Sequence, residues 1–333
     1  MMESKKKNFN IIKELKDKNY MLDYEQLKKV IWYKDIHKKW HHNTWQKFLN
    51  KKTKVFSIGS CFAVNFGRWI KLHSIEVVDP KWGMHYNPYT ILSEIKKAGG
   101  ISFKNQQVIW KVKKKNKELY IDGLRHPILA YSFSELKKIQ QNILNVSKKG
   151  IVNSDLIIIT LGLSEIWEER TNTGEWVAIN RTPPKDIFNA NSEKYRNRNM
   201  SVSECKLCIS EIIKCIKFIN KKAKIVFTVS PMPLKTSFKD MSIRISNNMS
   251  KANLLSAIYE VIDKKSKNDS NIIYFPAYEI FMSEDSNKSW QDDMRHPTKE
   301  AVERVCKEFV NAFAENINDF KADVDFFIKR KFF

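Results

Sequence analysis

The sequence predicts an α/β fold in which helices cover both faces of a parallel β-sheet. Five short runs are rich in β-branched and aliphatic residues, and helical patterns lie between and after them. Parallel strands that are buried on both faces show continuous apolar runs instead of alternation. Because strands alternate with helices along the chain, we expect βαβ units and a doubly wound sheet.

The predicted strands are apolar runs bounded by turn-forming residues, and they cover 54–58, 74–78, 155–161, 224–230 and 271–275. Apolar residues at helical spacing predict the helices, which cover 60–72, 88–98, 134–149, 201–221, 247–267 and 298–317. A chain of 333 residues with 42% hydrophobic residues can bury a large core. We therefore expect one α/β domain over 53–317 with a five-stranded parallel sheet.

The segment between the second and third predicted strands, 79–154, is too long for a single crossover helix. It contains QVIWKVKKKNKELYIDG, in which two alternating runs flank a Lys/Asn turn. This pattern predicts a β-hairpin. We expect the insertion to lie beside the parallel sheet and to help shape a substrate pocket.

Two terminal segments flank the predicted domain. Residues 1–52 are predicted to form a basic helical extension, since 1–54 contain 15 Lys, no Arg and 6 acidic residues. Trp32, Trp40 and Trp45 in this extension are expected to pack against the main domain, with stacking on sugars or bases as the alternative. Residues 318–333 are predicted to form a C-terminal tail.

The formal net charge of +22 favours an anionic partner such as a glycan, a phosphorylated cofactor, a nucleic acid or a membrane face. A compositional bias of the whole genome toward Lys would produce the same charge. No run approaches the ~18 apolar residues of a membrane span, and the N-terminus has no apolar signal region. The sequence therefore predicts a cytoplasmic protein.

The five cysteines show no disulfide framework. Cys205 and Cys208 form a CxxC motif, but both lie on one apolar helical stripe, which favours core packing. No second CxxC and no paired His motif completes a zinc site. No metal site is predicted.

The stretch TKVFSIGSCFAVNFGRWI places Ser60 where the first predicted strand turns into a helix. Ligands of parallel α/β sheets bind at the carboxyl ends of strands. The free amides of a helix N-terminus can stabilise an oxyanion when a serine attacks an acyl carbonyl. Gly59 permits a tight turn. Ser60 is thus a candidate nucleophile, a helix cap is the alternative, and Cys61 is expected to point toward the core.

A serine nucleophile needs a base, and SWQDDMRHPTKEAVERV supplies the candidate. His296 precedes Pro297, so it is expected in the loop that enters the last long helix. Asp293 lies three residues upstream, where its carboxylate can orient the imidazole. Asp292 is the alternative carboxylate.

Four blocks resemble those of the GSCFA-domain family, which is similar to the SGNH (GDSL-like) hydrolases. They are GSCFA at 59–63, TLGLSEIW at 160–167, TVSPMPL at 228–234 and DMRHPT at 293–298. The resemblance covers about 53–312 and implies a flavodoxin-like three-layer α/β/α sandwich. It also implies that Ser60 is the nucleophile, that His296 is general base and then general acid, and that Asp293 orients His296.

The resemblance further implies an oxyanion hole built from a glycine after the second strand and an Asn in a G-x-N-D block. Gly83 matches the glycine, whereas Gly162-Leu163-Ser164-Glu165 places Ser164 where the Asn would stand. Either Ser164 or Asn87 is expected to replace the missing amide. His85 is a further binding candidate, and other residues expected near the cleft are His126, Glu165, Trp167, Ser230, Met232 and Arg295.

We therefore predict an O-acyltransferase or carbohydrate esterase that works through an acyl-enzyme. The resemblance implies O-acetyl transfer to, or removal from, a bacterial surface polysaccharide or its precursor. No permanently bound cofactor is expected, acetyl-CoA is a candidate acyl donor, and the basic charge suits an anionic glycan acceptor. The alternative is a non-catalytic binding module for an anionic glycan or nucleic acid, although no nucleic-acid fold motif is recognised. The oligomeric state stays open.

Overall fold

The computed structural model describes residues 45–101, 107–114, 117–266, 269–283 and 286–321. Its strands and helices follow one another along the chain as β1 (Val55–Gly59), α1 (Cys61–Leu72), β2 (Val77–Val78), α2 (Pro88–Ala98), β3 (Ile109–Lys114), β4 (Lys117–Asp122), β5 (Leu129–Ala130), α3 (Phe133–Asn153), β6 (Leu156–Leu161), β7 (Glu165–Arg170), β8 (Trp176–Ile179), α4 (Lys185–Ala190), β9 (Tyr195–Asn199), α5 (Val202–Ile219), β10 (Lys224–Val229), α6 (Ile243–Ser266), β11 (Ile272–Tyr274), α7 (Ala277–Met282), α8 (Ser286–Ser289) and α9 (Lys299–Phe313).

The central sheet has five parallel strands in the order β11-β10-β6-β1-β2. Numbered within this sheet, the order is 5-4-3-1-2, which is the flavodoxin-like arrangement read from its other edge. The strand order reverses between β1 and β6, and this reversal forms the topological switch point. The predicted five-stranded parallel sheet with surrounding helices is confirmed.

The core lies between this sheet and the helices that cover it. Every residue of β6 is buried, as expected for a central parallel strand. Helix α5 packs Cys205 and Cys208 into the same core, so the predicted apolar role of the CxxC motif is confirmed. Burial raises the pKa of both thiols to about 12, which disfavours the thiolate.

Two antiparallel sheets lie outside the central sheet. The predicted hairpin is confirmed as β3 and β4, and β5 adds a short third strand. The second sheet, in the order β8-β7-β9, is not predicted by the sequence. Its strands carry charged residues on one face, where Glu168 accepts hydrogen bonds from Arg196 Nε (2.6 Å) and Arg198 Nε (2.9 Å). Charged residues on this face interrupt the apolar runs from which strands are predicted.

The predicted N-terminal extension lies outside the described residues up to residue 44, and so do Trp32 and Trp40. Trp45 is described and stacks on Phe313 of α9, with 5.1 Å between ring centroids. Most of the predicted tail, 322–333, is also outside the described residues. Within the described part of the chain, no helix combines the length and apolar character that crossing a membrane requires.

Candidate active site

A cleft of about 360 Å³ opens at the carboxyl edge of the parallel sheet. The turns that follow β1, β6 and β10 form one side of it, and the β8-β7-β9 sheet forms another. The cleft therefore coincides with the switch point, where ligands of doubly wound folds bind. Its volume is within the range of small-molecule binding sites.

Ser60 lies in this cleft at the N-terminus of α1. Gly59 has a φ of +132°, and a Cβ atom there would lie 2.1 Å from the carbonyl oxygen of Thr160, so the turn requires glycine. Ser60 is only 1% exposed, and its Oγ accepts a hydrogen bond from the Phe62 amide at 3.3 Å. The sequence thus places a serine hydroxyl beside the positive end of a 12-residue helix.

The loop before α2 joins the two turns at the switch point. The His85 amide donates to Gly59 O (3.0 Å), and Tyr86 O accepts from the Gly162 amide (2.6 Å). Asn87 follows, caps α2 by accepting from the Thr90 amide (2.9 Å), and lines the cleft. No described residue accepts a hydrogen bond from its side-chain nitrogen. The loop therefore presents an amide donor between the Ser60 turn and the Gly162 turn.

Three predicted binding residues lie behind the cleft wall. Ser164 is fully buried, and both its amide (2.6 Å) and its hydroxyl (3.3 Å) donate to Ser250 Oγ. Gly83 lies against the backbone of His126, where a Cβ atom would be 2.0 Å from the carbonyl oxygen. The side chain of His85 is buried, and burial lowers its pKa to about 4. Among the predicted binding residues, the cleft lining contains Asn87 and Gly162.

The turn before α9 brings Asp293 and His296 together. Asp293 Oδ1 accepts from the amides of Arg295 (3.0 Å) and His296 (2.9 Å), and Oδ2 pairs with His296 Nδ1. Burial opposes ionisation of Asp293, but these bonds outweigh it and lower the pKa of the carboxyl to about 2. Asp293 is therefore ionised at neutral pH and faces the imidazole.

The other imidazole nitrogen, His296 Nε2, lies 3.1 Å from Nη1 of Arg295, which lines the cleft. A guanidinium only donates, so we assign the lone pair to Nε2 and the proton to Nδ1, opposite Asp293. This is the tautomer that a general base requires. His296 and Ser60 make no hydrogen bond with each other in this structure, so proton transfer between them requires Arg295 to release Nε2.

Cys61 differs from the prediction, which placed it toward the core. It is half-buried, lines the cleft and contacts the sulfur of Met232. The first turn of α1 rotates this side chain toward the loop after β10. The cleft thus contains a thiol adjacent to the candidate nucleophile.

Lys251 of α6 was not identified from the sequence. It is 2% exposed, and its Nζ donates to the carbonyl oxygens of Gly162 (2.5 Å), Ser230 (2.7 Å) and Met232 (2.9 Å). Burial lowers the pKa of Lys251 to about 7, while the three acceptors favour its charged form. Lys251 therefore connects the turns after β6 and β10 through hydrogen bonds.

We expect Lys251→Met to destabilise the protein by about 3 kcal/mol, because three buried carbonyl groups lose their donor. Urea unfolding measures this change in the free energy of unfolding. Lys264→Met, on the exposed side of the same helix, is the matched control. Equal stability of the two variants would show that the carbonyl contacts contribute little.

The remaining candidates form the cleft wall. Glu165 holds the loop after β10, since its carboxylate accepts from Ser237 Oγ (2.7 Å) and the Phe238 amide (3.3 Å). Trp167 and His126 also line the cleft. Within the described ranges, no three His, Cys, Asp or Glu side chains are grouped as metal ligands would be.

The sequence matches the model of one known protein family. The sequence model of the GSCFA family matches residues 54–309, more than three quarters of the chain. No curated protein matches the sequence.

Two similar solved structures are esterases. A family 3 carbohydrate esterase from Clostridium thermocellum is 8% identical, with a TM-score of 0.32, over 78% of this chain and 94% of that one. An acetyl xylan esterase from the rumen bacterium Butyrivibrio proteoclasticus is 10% identical, with a TM-score of 0.39, over 79% of this chain. That match spans 64% of the xylan esterase, which is less than two thirds of its length.

Proposed function

We propose that this chain, which belongs to the GSCFA family, carries out serine-dependent acyl-ester chemistry on a carbohydrate. One observation carries the proposal: Ser60 and the Asp293–His296 turn, through Arg295, meet at one cleft. Acyl transfer needs a serine nucleophile and an Asp-oriented imidazole, and here Ser60 lines the cleft while His296 lies beside Arg295 at its edge.

The reaction begins when Ser60 Oγ attacks the acyl carbon and His296 Nε2 takes the hydroxyl proton. The bond to the leaving alcohol or thiol then breaks, and His296 returns the proton to that group. In the second half, water or a sugar hydroxyl gives its proton to Nε2 and attacks the acyl-Ser60 ester. Ser60 recovers its proton as the product leaves, while Asp293 stabilises the imidazolium in both halves.

We propose Asn87 as the side-chain donor to the oxyanion. Asn87 lines the cleft between the two turns, whereas the Ser164 hydroxyl donates to Ser250 behind the wall. The N-terminus of α1 adds positive partial charge at the same place. Of the two donors that the sequence left open, the placement of the side chains favours Asn87.

Asn87→Ser is expected to lower kcat for an aryl acetate by 10²- to 10³-fold, roughly the loss from one oxyanion donor. Serine can still cap α2, so the free energy of unfolding should change little. Steady-state kinetics and urea unfolding measure the two effects separately. Ser164→Ala is the comparison, and a larger loss of kcat in that variant would assign the donor to Ser164.

Hydrolysis and transfer share these steps and differ in what reaches the acyl-enzyme. We propose O-acetyl exchange on a bacterial surface glycan or its precursor, with acetyl-CoA as the candidate donor for the transfer direction. The test supplies acetyl-CoA or an aryl acetate together with a glycan acceptor and measures the products. Acetylated glycan indicates transfer, and free acetate indicates hydrolysis. A binding module predicts neither product.

A further inference from the structure

We propose that the cleft face of the β8-β7-β9 sheet is a subsite for an acidic sugar, a hydroxylated ring that carries a carboxylate. The subsite consists of Trp167, Ile179, Arg181 and Asn197, which line the same cleft as Ser60. The inference rests on the proposed function, because it identifies the part of the acylated substrate held beside the nucleophile.

The strand register places Trp167, Ile179 and Asn197 on one face, and Arg181 lines the same cleft two residues after the end of β8. Trp167 pairs with Ile179 of β8 and with Asn197 of β9. Directly paired residues of antiparallel strands project to the same side of the sheet. The adjacent positions project to the opposite side, where Glu168 binds Arg196. The charges of Glu168 and Arg196 are thus paired on the side away from Trp167.

The polar atoms on the cleft face are buried and have no hydrogen-bond partner within the described part of the chain. They are Trp167 Nε1, Arg181 Nε and Nη1, and Asn197 Oδ1 and Nδ2. Buried polar groups without partners are rare and unfavourable in folded proteins. Five such atoms on one cleft wall indicate a surface whose hydrogen bonds are completed by a ligand.

The chemistry of these atoms identifies the ligand. Four of them are nitrogen atoms that donate, and Asn197 Oδ1 is the acceptor. The guanidinium of Arg181 suits a carboxylate in charge and in planar geometry. The Asn197 amide offers one donor and one acceptor, which suits a hydroxyl group. A uronic acid supplies both groups on one ring.

The surrounding charge also favours an anion. Lys235 and Arg295 line the cleft. The carboxylate of Glu165, which lines it too, is occupied by Ser237 and the Phe238 amide. An anionic sugar that enters the cleft is therefore attracted by Lys235 and Arg295, while the carboxylate of Glu165 is already hydrogen-bonded.

The test compares kcat/KM for O-acetylated methyl glucuronoside with that for the matched acetylated methyl glucoside. We expect the wild type to prefer the uronate by about tenfold or more. Arg181→Gln should reduce the preference to about one, and Arg181→Lys should keep part of it. Asn197→Asp should also disfavour the uronate, since it adds a negative charge. Arg244→Gln, an exposed change on α6, is the matched control.

Equal kcat/KM for both sugars in the wild type, or a preference that survives Arg181→Gln, overturns the subsite and leaves the proposed function intact. Faster turnover of an acetylated sugar phosphate overturns the carboxylate assignment. If neither sugar nor an aryl acetate is turned over, the proposed function fails. In that case, titration with unacetylated methyl glucuronoside followed by NMR decides the subsite: selective binding lost in Arg181→Gln supports it, and unselective or absent binding overturns it.

Discussion

Ser60→Ala is expected to lower kcat/KM for an aryl acetate by ~10⁴-fold or more. The change removes the atom that attacks the acyl carbon and leaves the Gly59 turn and α1 in place. It also removes the hydrogen bond from the Phe62 amide, a capping contact worth about 1 kcal/mol. Initial rates report the catalytic loss, and urea unfolding reports the much smaller stability loss.

Two further variants serve as controls for the effect of Ser60→Ala. Ser203→Ala, on the exposed side of α5, controls for serine replacement and should retain the wild-type rate. Cys61→Ala removes the neighbouring thiol, which lines the same cleft. If turnover is lost in Cys61→Ala but kept in Ser60→Ala, the thiol is the nucleophile and the assignment to Ser60 is wrong.

Asp293→Asn is expected to lower kcat by on the order of 10⁴-fold. The asparagine oxygen can still accept from the amides of Arg295 and His296, so the turn keeps its shape. Its nitrogen, however, would donate to His296 Nδ1 and move the imidazole proton to Nε2. An imidazole with this tautomer cannot accept the Ser60 proton. Steady-state rates at neutral pH measure the loss.

The adjacent Asp292→Asn is the matched control, because Asp292 is exposed and makes no hydrogen bond to His296. The kcat of Asp292→Asn should stay within about twofold of the wild type. Equal losses of kcat in Asp293→Asn and Asp292→Asn would contradict the orienting role of Asp293.

The hydrogen bonds of Asp293 also make the stability of the fold depend on pH. The pKa of Asp293 lies below its ordinary value of 3.8, so its bonds stabilise the fold above that pH. This contribution is lost as the pH falls through about 2.

The central sheet was predictable from the sequence because its strands are buried on both faces and therefore form continuous apolar runs. The β8-β7-β9 sheet was not, since charged residues interrupt its apolar runs. Glu168 lies on the same face as the buried Ile166, and its charge is satisfied by pairing with Arg196 and Arg198 across strands. Such pairing depends on the register of segments that are separated along the chain, and a local pattern does not contain it.

The same distinction applies to the candidate site. Ser60 lies in a local strand–helix turn, and Asp293 and His296 share a single turn, so short motifs located them. Asn197 reaches the cleft through the pairing of β9 with β7, and Arg181 reaches it from the segment after β8, so no local pattern located either residue.

Two further side chains show how far a local pattern extends. Lys251 occupies the apolar stripe of α6 that also contains Leu254 and Ile258, and this lone charge was the available signal. Cys61 was misplaced because the direction of the first helical residue depends on how the Ser60 turn meets the loop after β10. The spacing of residues along the chain does not predict the direction of a side chain that a distant loop determines.

Covalent catalysis by Ser60 is tested most directly by the intact mass of the protein during turnover of an acetyl ester, followed by peptide mapping. We expect one transient acetyl group on Ser60 in the wild type. We expect no adduct in Ser60→Ala, and accumulation of less adduct in Asp293→Asn. Turnover with no adduct, or an adduct mapped to Cys61, would contradict covalent catalysis by Ser60.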